Sequence, residues 1–232
     1  MNRCLPAFAL AAVVASAPAS AADRNYTVTG FDRVRLDGPY RVRLTTGVAP
    51  FARASGSSAA LDGISIEVQG QTLVIRRNPS SWGGYPGAAQ GPVEITVGTH
   101  DLSTVWLNGA GSLAVNAVRG QSFDLNIQGS GSVSVGRLDV DRLRAALIGT
   151  GSASLAGKAA AATMIVRGTG ALDASGLAVK DAVLGADGGA VVSANASGTA
   201  KVDAQGTASV TVEGDPACTV RALGSAVVSG CR

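Results

Sequence analysis

The chain of 232 residues carries 31 glycines, with 46% hydrophobic, 15% charged and 4% aromatic side chains, and so is poorer in charge than the roughly 25% of an average soluble domain. An ordinary disordered tail is excluded, because disorder needs low hydrophobicity and high net charge. With 19 basic against 16 acidic residues and a net charge of +3, there is no electrostatic case for a nucleic-acid partner.

Residues 1–22 read as a secretory signal peptide: Arg3 opens it, Leu5 to Ala17 form its apolar middle, and Ala19, Ser20, Ala21 and Ala22 supply small residues for cleavage near Ala22 or Asp23. The apolar stretch is shorter than the roughly 20 residues of a spanning helix and Pro18 interrupts its end. No membrane span is expected after cleavage. Cys4 precedes the apolar segment, which is not where a lipid-bearing cysteine stands. The expected location is the periplasm or the cell surface.

Residues 23–104 form a strand-rich N-terminal section. Alternation predicts strands at Tyr26 to Val28, Val34 to Leu36, Tyr40 to Leu44, Ile64 to Val68, Leu73 to Ile75 and Val93 to Val97, with turns at Asp37-Gly38-Pro39 and Gly70-Gln71. Arg33, Arg35, Arg41 and Arg43 alternate with apolar residues and face solvent, either as a basic patch for an anionic glycan or lipid or as a solvated face offset by Asp32, Asp37 and Glu67. The loop from Asn78 to Pro92 holds Trp82 and Tyr85. They read as a cover over the junction with the repeat, as a stacking platform for sugar, or as part of a disordered loop.

Residues 105–232 repeat a Gly-small-Gly motif, at Gly109-Ala110-Gly111, Gly129-Ser130-Gly131, Gly149-Thr150-Gly151 and Gly168-Thr169-Gly170, with weaker copies at Asp187-Gly188-Gly189, Gly206-Thr207-Ala208 and Gly224-Ser225-Ala226. The steps of 20, 20, 19, 19, 19 and 18 residues are the signature of a stacked solenoid. Apolar residues alternate on both sides of each motif, as in Val105, Leu107, Leu113 and Val115, which predicts strands with one buried face and the glycines at corners. Ala145, Ala153, Ala174, Ala190 and Ala204 stand where earlier coils carry larger residues, so the core should narrow toward the C-terminus.

Cys218 and Cys231 flank the last motif and are expected to pair in an oxidising compartment, closing the terminal coil. His100 is the lone histidine and reads as a turn residue; the aspartates form no column along the repeat, and no cofactor, metal site or catalytic residue is expected. Hydroxyls do form columns: Ser130, Thr150, Thr169, Thr207 and Ser225 in one, Ser112, Ser132, Ser152 and Ser209 in another. Such ladders can present a flat face to a repetitive ligand such as a glycan or ice, or simply suit tight corners.

Gly30-Phe31-Asp32-Arg33-Val34, Gln71-Thr72-Leu73-Val74-Ile75, the repeated Gly-Ser/Thr-Gly-Ser and Val212-Glu213-Gly214-Asp215-Pro216 together resemble the putative auto-transporter adhesin family with a head GIN domain, over about residues 28–216. The resemblance implies a β-helical fold and an extracytoplasmic role, with adhesion suggested by the family name and no catalytic or ligand residues to carry over. The expectation is therefore an all-β protein, a single parallel β-solenoid, right-handed, of about seven coils of 18–20 residues. Its expected role is an exported, non-catalytic binding or adhesion module of the cell envelope. Its partner would be a cell-surface or cell-wall glycan or an envelope protein, contacted through Trp82, Tyr85, Ser130, Thr150 and Thr169. The alternatives are a structural envelope protein without a ligand and a polysaccharide-active β-helix enzyme.

Overall fold

A computed structural model describes residues 22–79 and 92–231; apart from Ala22, the signal segment lies outside them, as do Trp82 and Tyr85. In chain order the strands are β1 (Ala22–Tyr26), β2 (Arg33–Asp37), β3 (Arg41–Thr46) and β4 (Phe51–Gly56), then helix α1 (Ser58–Asp62), β5 (Ile64–Gln69), β6 (Thr72–Arg77), β7 (Glu94–Thr99), β8 (Thr104–Gly109) and β9 (Ser112–Val115). The repeat follows as β10 (Val118–Gly129), β11 (Ser132–Gly149), β12 (Ser152–Gly168), β13 (Ala171–Gly188), β14 (Val191–Gly206), β15 (Ser209–Glu213), β16 (Ala217–Gly224) and β17 (Val227–Ser229). All belong to one sheet, in which β8 to β17 stack in parallel as a solenoid. Seven glycine corners separate about 6 turns.

Within a turn the alternation of inward and outward side chains slips phase three times. In β11 it slips at Gly136-Arg137, at Asp141-Arg142 and at the glycine corner. Each coil therefore has three inward faces. Face one carries inward Leu143, Ala145 and Leu147, face two Val133 and Val135, and face three Leu138 and Val140. Simple two-strand repeats would leave out the third face, which a sequence reading of the glycine motif alone does not separate from the corner.

The glycine corner is demanded twice over. Gly149 has φ +116, and a Cβ on it would lie 2.5 Å from the carbonyl oxygen of Gly129 in the coil before. Neither condition suits an L side chain. The fifth corner falls on Gly188, one residue later than Asp187, because hydrogen bonding pairs Gly188 with Gly168 and Gly206. The repeat there is Gly188-Gly189-Ala190, and its glycine at the middle position interrupts the hydroxyl column. Variation in repeat length is absorbed beyond face two, where the register shifts between Val135 and Leu138, Ser154 and Gly157, and Ala174 and Ala178.

The N-terminal strands are part of the same stack. β2 lies between β6 and β8, parallel to both, and β3 between β7 and β9. Asp37 pairs with Asn108, which sets Gly38, at φ +127, beneath Gly109. Residues 33–46 are thus a coil like the later ones, although its corner reads Gly38-Pro39-Tyr40. Antiparallel strands close this end: β5 against β6, β4 against β7 and β1 against β4. The strand expected at Tyr26 to Val28 lies upstream as β1, and β4 and α1 were not expected. Helix α1 lays buried Ala60 and Leu61 on the core; its N-cap Ser57 accepts a hydrogen bond from the Ala60 N–H at 3.2 Å.

The core narrows in two columns of face one, while the column between them, Leu125, Ala145, Met164, Leu184, Val202, and the face-two column Leu113, Val133, Ala153, Leu172, Val192, Val210 keep large residues toward the C-terminus. One column on face one runs Phe123, Leu143, Ala162, Ala182, Ala200, Cys218; another runs Leu107, Ile127, Leu147, Val166, Ala186, Ala204, Ala222. At the far end Cys218 and Cys231 form a disulfide with 5.6 Å between their Cα atoms, both partly buried against the core. The bridge spans from face one of the last coil to the chain just beyond β17. Val220, which continues the inward column of Val202, is 43% exposed because no described residues stack beyond it.

Candidate binding face

The outward side of face two is built from strands whose inward residues, such as Leu113, Val133 and Ala153, are fixed in the core, so the outward side chains line up in columns. One column reads Glu94, Arg41, Ser112, Ser132, Ser152, Ala171; its neighbour reads Thr96, Arg43, Ala114, Ser134, Ser154, Asp173. Small side chains in the middle and long ones at the N-terminal end leave a groove of ≈ 410 Å³ lined by these residues. From the Arg43 row to the Asp173 row is four strand spacings, about 19 Å.

The groove is electrostatically polar along its length. At one end stand the exposed guanidinium groups of Arg41 and Arg43; Arg43 pairs loosely with Glu94 at 3.4 Å, an exposed pair of small energetic weight. Among the described residues Arg41 has no ion-pair partner. At the other end Asp173 accepts from the Ser175 hydroxyl at 2.6 Å and from its backbone N–H at 3.1 Å. These bonds favour the ionised form and hold the carboxyl below its ordinary range. The hydroxyls of Ser112, Ser132, Ser134, Ser152 and Ser154 make no hydrogen bond to a described residue.

Ser130, Thr150 and Thr169 lie on the corner ridge between faces one and two, exposed and in register. Their backbone N–H groups donate to the carbonyls of Gly109, Gly129 and Gly149 at 3.0, 2.9 and 3.0 Å. Of the corner hydroxyls, Thr207 also bonds backbone through its side chain, to the Gly188 carbonyl at 3.3 Å. The corner column is not part of the groove's lining, while the second expected column, through Ser112, Ser132 and Ser152, forms part of its floor. Sequence reasoning missed the parallel row of Ser134, Ser154 and Asp173, although the Ser-x-Ser spacing at Ser132 and Ser152 signals it.

The four arginines do not form one patch. Arg33 and Arg35 are on face one, where they pair with Asp32 at 3.7 Å and Asp37 at 2.9 Å, while Arg41 and Arg43 are on face two. Glu67 is taken by Arg76 at 2.7 Å and does not offset them. His100 lies in a turn, its carbonyl accepting from the Gly47 N–H at 2.9 Å. Asp139 pairs with Lys158 at 3.2 Å. Among the described residues no group of three or more His, Cys, Asp or Glu side chains could hold a metal ion, and no helix is long and apolar enough to cross a membrane.

The fold recurs in solved structures. A putative adhesin from Bacteroides fragilis superposes with a TM-score of 0.78 at 20% identity, over 90% of this chain and 95% of that one. A putative lipid binding protein from Parabacteroides distasonis gives 0.72 at 18% identity, over 91% and 96%. A putative adhesin from Parabacteroides merdae gives 0.64 at 18% identity, also over 91% and 96%. No curated protein matches the chain. Residues 30–216 match the family described as putative auto-transporter adhesin, head GIN domain, and the chain belongs to that family.

Proposed function

We propose that the protein is an exported, non-catalytic binding module of the bacterial cell envelope, and that it holds an anionic polymer at the arginine end of the groove of face two, away from Asp173. The observation that carries this is the groove itself: Arg41 and Arg43 beside a floor of unengaged serine hydroxyls, repeated at the strand spacing. A polymer can meet such rungs in succession, gaining charge-assisted bonds at the arginines and hydroxyl bonds along the floor. Family membership and the disulfide support export and an external partner. Trp82 and Tyr85, which lie between β6 and β7 outside the described residues, remain proposed contacts of the same kind.

The test is retardation of the secreted chain in affinity electrophoresis through polygalacturonate. Retardation that weakens with salt and is lost in the Arg41→Ser, Arg43→Ser double variant is the expected result. Equal migration of wild type and variant, or co-sedimentation with phosphatidylglycerol vesicles without retardation by the polysaccharide, overturns the proposal.

A further inference from the structure

Trp106 occupies the middle outward position of β8 on face one, between Arg35 of β2 and Asn126 of β10. It is half-buried and lines a depression of ≈ 510 Å³ together with Arg35, Gln69, Thr72, Asn108 and Gln128. An indole on the outward side of a strand is not needed by the core, whose positions on either side are filled by Val105 and Leu107. Beside it the Asp37 carboxylate accepts from Arg35 Nε at 2.9 Å and from Asn108 Nδ2 at 2.6 Å. That arrangement fixes the planar groups of three side chains around the ring. The terminal nitrogens of Arg35, the amide oxygen of Asn108 and the amide of Gln128 are not engaged by described residues.

An aromatic face flanked by oriented amide, guanidinium and carboxylate groups suits a pyranose. The C–H face of the sugar stacks on the ring, and its hydroxyls, each both donor and acceptor, satisfy the planar groups around it. The charges here are already balanced, Arg35 by Asp37 and Arg76 by Glu67. A phosphodiester or a polyuronate would find no surplus cation. Further along the same face the outward positions are aliphatic at Ile148, Ile165 and Val183 and charged at Arg144 and Arg167, so the aromatic and amide cluster is confined to the N-terminal coils. We propose that face one carries a second binding site, centred on Trp106, for a neutral hexose-type glycan. It shares with the proposed function the premise of a non-catalytic binder, but not the groove, which lies on the other side of the glycine ridge.

Calorimetric titration of the secreted chain with cellohexaose, chitohexaose, mannohexaose and xylohexaose tests this, with single-stranded dT12 as a nucleic-acid control. Binding of at least one oligosaccharide is expected, weakened about tenfold or more in Trp106→Ala, partly retained in Trp106→Phe, weakened in Asn108→Ala, and unchanged in Trp82→Ala and in the Arg41→Ser, Arg43→Ser variant. Far-UV circular dichroism and the thermal midpoint establish that the variants fold. No binding of any of the four sugars overturns the site, as does binding that survives Trp106→Ala in a folded protein, or binding of dT12 alone. If polygalacturonate retardation persists while the neutral sugars fail, the Trp106 site falls and the groove stands. If the sugars bind and retardation fails, the reverse holds.

Discussion

The two ends of the solenoid are closed by different means. The N-terminal end meets solvent through a layer of antiparallel strands and the buried Ala60 and Leu61 of α1, laid over coils filled with large residues such as Leu36, Ile75 and Ile95. At the C-terminal end no described residues form a covering layer: two columns of face one have shrunk to alanine, Val202, Val210 and Val212 are the larger residues left inside, and a disulfide crosses the last coil. The contrast teaches that closure follows the width of the core. A wide coil buries enough apolar area for a noncovalent cap to hold, whereas a narrow coil gains little from covering and is fixed by a covalent link.

That contrast can be broken first at the wide end. Phe123→Ala removes the largest fully buried side chain at the head of its column and should cost about 3–5 kcal/mol, read from chemical denaturation. A smaller loss would mean that neighbouring coils collapse onto the gap. The narrow end comes next. Replacing Cys218 and Cys231 together with serine should cost about 3 kcal/mol, and hydrogen exchange should locate the loss in β16 and β17 while β10 to β13 stay protected. Uniform deprotection would show that the last coil supports the whole rod. The smallest effect belongs to the noncovalent cap: Ser57→Ala removes the bond that starts α1 and should cost about 1 kcal/mol, with thermal denaturation as the measure.

The regular part of the stack was legible because its cause is local. A glycine with positive φ and a two-residue alternation recur at each turn, so strands, corners and taper can be read from residue types alone. The slip from Asp187 to Gly188 arose because two glycines adjoin there and only hydrogen-bond register decides between them. Strand β4 was hidden since its inward residues are Ala52 and Ala54, too small to mark an apolar alternation, and α1 is too short to show a helical period. The groove was half legible. Its serine floor repeats within the sequence, but the arginines at its head come from β3, which is brought beside β9 from far along the chain. Trp106 was readable from the alternation of Val105 and Leu107, which turns it outward.

The interleaving of residues 33–46 between β6–β7 and β8–β9 also orders events in time. Contacts of this coil with β8 join residues 71 apart in sequence, whereas each later coil joins residues 18 to 20 apart. Closing the long loop carries the larger entropy cost, and folding speed falls as contacts become less local. The slow event in making this protein is therefore the capture of its second and third strands by residues 104–115. Once that seed exists, the remaining coils can add one after another onto a finished template, each needing only the next short stretch of chain as it arrives.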